Sequence, residues 1–164
     1  MKEVAAETIA VLAMVLLPSA AAGTREVSVA NGCRVSNTFS HPVPGRPSFN
    51  FGSARIAVAF PQDARFLAVP DGSPGWAFIQ KNGWIRAKLG WFTTQGRPTI
   101  TGGRVGGTAR PLRADVGALT SAPDGPFYPS LLYFSSFGCW RITVTAGGAT
   151  LKATVDVVRS TDRR

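Results

Sequence analysis

Between Gly138 and Val158 the chain reads "GCWRITVTAGGATLKATVDVV", an apolar–polar alternation folded about a single pair of glycines. Side chains alternate across a strand, so Trp140, Ile142 and Val144 share one face and Arg141, Thr143 and Thr145 the other. Gly147-Gly148 suits a two-residue primed turn, because glycine supplies the positive φ that such turns require. That turn pairs Val144 with Leu151, Ile142 with Ala153 and Trp140 with Val155. A slip of one residue would mix the two faces, so the register is specified by the pattern itself.

The rest of the chain has the same character. Its 18 glycines and 12 prolines gather in clusters such as "HPVPGRP", "VPDGSPG", "TGGRVGG" and "SAPDGP", separated by short stretches rich in Val, Ile, Thr, Phe and Trp. No sustained 3.6-residue period follows the N-terminal apolar run. Short strands punctuated by turns predict an all-β, immunoglobulin-like antiparallel β-sandwich. A second hairpin is expected to turn at Asn82-Gly83. It would place Trp76, Phe78, Ile85, Ala87, Leu89 and Trp91 in the core and Trp84, Arg86 and Lys88 on the opposite face.

The N-terminal run Ile9 to Leu17 is too short to span a bilayer, and small residues follow at Ala20 and Ala22. Residues 1–22 therefore read as an export signal, 23–53 as a loop-rich leader carrying Cys33, 54–159 as the sandwich domain and 160–164 as a tail. Export places the protein outside the cell or in its envelope, with no transmembrane helix and as a monomer. The formal charge of the whole chain is +9, and loss of Lys2, Glu3 and Glu7 with the signal raises it by one. Such a balance favours anionic partners, namely an envelope polymer or polysaccharide. The basic residues are dispersed and no recognition motif is present, which argues against nucleic acid.

The chain holds two cysteines, Cys33 and Cys139. In an oxidising compartment such a pair most often forms a disulfide. A thiolate nucleophile would need a base, and the sole histidine, His41, lies in a proline-rich loop. Structural zinc usually takes four ligands, and two cysteines with one histidine at no ligand spacing do not supply them. Cys139 is thus read as half of a staple to Cys33, pointing away from the core face of Trp140 unless a bulge intervenes at Gly138.

The segments "CRVSN" (33–37), "NGWIRAKLGWF" (82–92), "LRADVGA" (112–118) and "PFYPSLLYFSSFGCWRITVTAG" (126–147) resemble a family of small exported bacterial proteins. An early cysteine, a Trp-rich middle hairpin and a late Gly-Cys-Trp strand recur there. The resemblance implies a secreted β-sandwich and carries no activity or functional residue with it.

Catalytic patterns are missing from the sequence. The acids after residue 22 are Glu26, Asp63, Asp71, Asp115, Asp124, Asp156 and Asp162, and no spacing sets two of them across a cleft. "TGGRVGG" lacks the lysine-serine ending of a phosphate loop. No metal or cofactor is expected. The expected function is a non-catalytic binding module with a basic surface. A carbohydrate-binding module built on Trp84, with Arg86, Lys88 and Tyr128 nearby, is the alternative, and a small hydrolase of unrecognised type the more remote one.

Overall fold

The computed structural model describes residues 26–28, 32–36, 43, 47–123 and 125–160. The segment read as an export signal, His41, Asp124 and residues 161–164 lie outside the described residues. The strands are β1 (Glu26–Ser28), β2 (Arg34–Ser36), β3 (Phe51–Gly52), β4 (Ile56–Val58), β5 (Arg65–Pro70), β6 (Ala77–Ile79), β7 (Ile85–Thr93), β8 (Thr99–Arg104), β9 (Arg113–Val116), β10 (Tyr128–Phe134), β11 (Gly138–Ala146) and β12 (Ala149–Arg159). A short 3-10 turn over Gln62–Ala64 precedes β5, and there is no α-helix among the described residues. No helix among them is long and apolar enough to cross a membrane.

The protein is all-β. β1 and β2 pair with each other, and the other ten strands form one sheet. β7 is its pivot: β10 runs along one edge, while β6 and β4 share the other, opposite the first and second halves of the strand. From β6 the sheet continues through β5, β12, β11 and β8. β9 lies outside β10 and β8 outside β11. These two outermost strands approach each other, for the Leu112 N–H donates to the Gly102 carbonyl at 3.0 Å. The Arg97 guanidinium also donates to the Val116 carbonyl. The sheet therefore curls round upon its own apolar face.

Aromatic rings fill that interior in a continuous series. Trp91 meets Phe60 at 6.0 Å, Phe60 meets Phe66 at 6.1 Å, Phe66 meets Phe134 at 5.8 Å and Phe134 meets Trp140 at 5.4 Å. Each buried indole N–H has an acceptor, as burial of a polar group requires. Trp91 donates to the Ser130 hydroxyl at 2.8 Å and Trp140 to the Ser136 carbonyl at 3.0 Å.

The C-terminal hairpin has the anticipated register. Trp140 pairs with Val155, Ile142 with Ala153 and Val144 with Leu151, without interruption from Gly138 to Ala146. Gly147 and Gly148 adopt φ of 50° and 79°. Trp140, Ile142, Val144 and Val155 are buried, and Leu151 is half-buried against the same cluster.

The middle hairpin differs by one residue. Gln80 donates to the Trp84 carbonyl at 2.8 Å, so three residues, Lys81-Asn82-Gly83, form the loop instead of two. Ala77 then pairs with Ala87 and Ile79 with Ile85, while Phe78 faces Arg86. A one-residue change in register moves every side chain of the strand to the other face. Phe78 is accordingly not a core residue; it is half-buried on the outer face, and Trp76 is 48% exposed. Ala77 takes the interior position, with Leu89 and Trp91 buried as expected on β7.

The leader is fastened where predicted. Cys33 and Cys139 form a disulfide, with Cα atoms 5.5 Å apart and a sequence separation of 106. Cys33 and Val35 are buried in the common core, and the Ser36 hydroxyl accepts from the Thr154 N–H at 2.9 Å. β2 thereby covers β12, which is why residues 153–157 are buried on both faces.

Candidate functional site

Pairing across four strands assembles one row on the outer face. Phe78 on β6 stands opposite Arg86 on β7, Arg86 opposite Tyr133 on β10, and Tyr133 opposite Arg113 on β9. Aromatic and guanidinium groups therefore alternate along the row. The Arg86 guanidinium carbon lies 5.7 Å from the Phe78 ring centroid and that of Arg113 lies 4.6 Å from Tyr133. Both fall within the range of a cation–π contact. In the next row Lys88 and Asp115 flank Leu131. A cavity of about 530 Å³ opens over this surface, walled by Phe78, Arg86, Lys88, Asp115, Pro129 and Leu131.

The charges here are mutually held but solvated. Arg86 meets Asp71 at 3.4 Å, and Arg113 meets Asp115 at 3.0 Å. The hydrogen bond from Arg113 holds the Asp115 carboxyl below its usual range, and Arg113 is raised in return. Exposed pairs of this kind contribute little to stability and exchange readily with a partner's charges.

Trp84 stands apart from this surface. It is half-buried and lines a separate cavity of about 380 Å³ with Asn82, Thr108, Arg110, Ser135 and Ser136. Tyr128 pairs with the buried Trp91, on the face opposite Arg86 and Lys88. Of the four residues singled out for binding, the structure brings together Arg86 and Lys88 alone. Tyr133 and Arg113 complete the row and were not legible as site residues. In "SLLYF" apolar residues occupy both faces of β10, so alternation gives no sign of which ring is displayed.

A third cavity, of about 600 Å³, lies against the disulfide and is lined by Cys33, Cys139, Phe137, Asp156, Arg104 and Arg159 among others. Asp156 pairs with Cys139 across the hairpin and is buried. Burial raises its pKa, and the Arg65 guanidinium, with Nε 3.8 Å from Oδ2, offsets part of that rise. No group of three or more His, Cys, Asp or Glu side chains that could hold a metal occurs among the described residues.

Compared with known proteins, the chain matches no family model, no curated protein and no solved structure.

Proposed function

We propose that this protein is a secreted, non-catalytic binding module of immunoglobulin-like sandwich architecture, akin to the small exported bacterial proteins that its Gly-Cys-Trp strand resembles. It holds an anionic envelope or extracellular polymer against the outer face of β6, β7, β10 and β9. The observation that carries this reading is the row Phe78–Arg86–Tyr133–Arg113 with Lys88 beside it. Rings fix the guanidinium groups in place before any partner arrives, which lowers the ordering cost of binding. The acids facing them, Asp71 and Asp115, are solvated and displaceable. The disulfide supports export, since such bonds persist in oxidising compartments.

Retention on a polyphosphate-coupled resin tests the proposal. The triple variant R86Q/K88Q/R113Q is expected to elute at clearly lower salt than a control of equal charge change, R55Q/R110Q/K152Q, because localised contacts are lost only in the first. Equal elution of the two variants would show general attraction and no site. A second reading, carbohydrate binding at Trp84, is favoured by the hydroxyl and amide groups of its cavity. Elution by soluble sugar, abolished in Trp84→Ala, would select it.

A further inference from the structure

Asp156 poses a problem of hydrogen bonding that no group among the described residues solves. Its side chain is 5% exposed, and Oδ2 has no hydrogen-bond partner among the described residues. Arg65 Nε, the nearest opposite charge at 3.8 Å, lies beyond hydrogen-bond reach and is itself unpartnered. Buried polar atoms are nearly always satisfied, so an orphaned carboxylate oxygen points to a missing donor. Asp156 is also one of the residues that line the cavity beside the disulfide, to which Arg65 does not belong.

The remaining walls define what could enter. Arg104 and Arg159 are exposed cations at the same cavity. The Arg159 guanidinium carbon is braced 5.2 Å from the Phe137 ring centroid. Arg104 packs over Gly138, where a Cβ would come within 3.3 Å of its Nε and Nη2. Gly138 also has φ +114°, so a side chain is doubly disfavoured at the place where the guanidinium rests. Val105 and Phe137 supply apolar wall. A buried carboxyl and two exposed cations among its walls call for a ligand that carries both charges, and about 600 Å³ is the size of a small-molecule site.

We propose that this cavity binds a small zwitterion, an α-amino acid with an apolar side chain, its ammonium on Asp156 and its carboxylate between Arg104 and Arg159. The site shares no residue with the outer-face row, so it stands or falls independently of the polymer-binding reading.

Calorimetric titration of the oxidised full chain with L-phenylalanine, N-acetyl-L-phenylalanine and L-phenylalaninamide tests it. The free amino acid is expected to bind, and each blocked form to bind about tenfold more weakly or worse, since each loses a charge-assisted hydrogen bond. D156N and R104Q/R159Q should each weaken the free amino acid by a similar factor. Arg104 and Arg159 are exposed, so that variant decides the matter even if D156N fails to fold. Absence of binding up to about 10 mM, a level already weaker than ordinary ligand affinities, would overturn the proposal. So would equal affinity for all three probes, or full affinity in R104Q/R159Q.

Discussion

Arg113–Asp115 and Arg65–Asp156 join the same two functional groups in opposite surroundings. On the outer face the pair closes to 3.0 Å in water, and the carboxyl is held below its usual pKa by the hydrogen bond it accepts. Under the disulfide the pair stands at 3.8 Å, and burial drives the carboxyl the other way. Water on one side and its exclusion on the other decide the sign. The outer face can therefore exchange its ionic partners at little expense to the fold, whereas the seam between β11 and β12 carries the stability and tolerates a charge only under constraint.

The sharpest test of that division is Trp140→Ala. Trp140 is fully buried, touches Phe134 at 5.4 Å and satisfies its own N–H. Its loss should cost about 3–5 kcal/mol, read as a lowered denaturant midpoint, while R86Q/K88Q/R113Q should leave the midpoint almost unmoved. Opening the staple comes next. In the chain-entropy model a bridge with a sequence separation of 106 restrains the unfolded chain by up to about 4.7 kcal/mol, and native bridges in small domains are worth about 2–5 kcal/mol. C33S/C139S should lose stability in that range by denaturant titration; a loss below about 1 kcal/mol would mean that β2 is held by packing alone.

The two hairpins show how much of this was readable in the sequence. For β11 and β12, local turn preference and alternation agree, and every pair from Trp140–Val155 to Val144–Leu151 follows from Gly147-Gly148. For β6 and β7 the same rule misplaces Phe78, because Asn82-Gly83 sits in a three-residue loop and the Asn82 side chain accepts from the Trp84 N–H at 3.1 Å. β6 is only three residues long, too short for alternation to correct the turn. The candidate sites were less visible still. The outer row depends on β7, β10 and β9 lying side by side, and by alternation alone Asp156 falls on the polar face of β12 with Lys152 and Thr154. Its burial comes from β2, brought across it by a disulfide whose partners were evident but whose path over the sheet was not.

Asp156→Asn probes the buried member of the comparison. A carboxyl whose pKa is raised on folding binds its proton more tightly in the native state. Its contribution is thus most favourable below the ordinary carboxylate value and is lost as pH rises through the raised value. D156N should therefore match the native protein closely near pH 3 and become the more stable of the two by pH 7. The expected gap is about 1 kcal/mol, as when a buried ion pair gives way to a neutral group, and Arg65 can turn toward solvent because its side chain is 35% exposed. A neutral-pH loss of stability in D156N would mean that the Arg65 attraction outweighs burial.

The smallest effect is expected on the outer face, where Arg113→Gln should leave unfolding midpoints unchanged and still be plainly visible by NMR titration of the Asp115 carboxyl. A lowered native pKa contributes stability above the ordinary value and loses it as pH falls through the lowered one. For so exposed a group, however, solvent and salt screen the effect on folding. In R113Q the Asp115 carboxyl should return toward its ordinary pKa. High salt should do the same in the native protein while leaving Asp156 raised, because added ions screen a solvated attraction but do not rehydrate a buried oxygen. If salt moved both carboxyls alike, the two environments would differ only in degree, and the seam could not be the guarded region that the disulfide makes it.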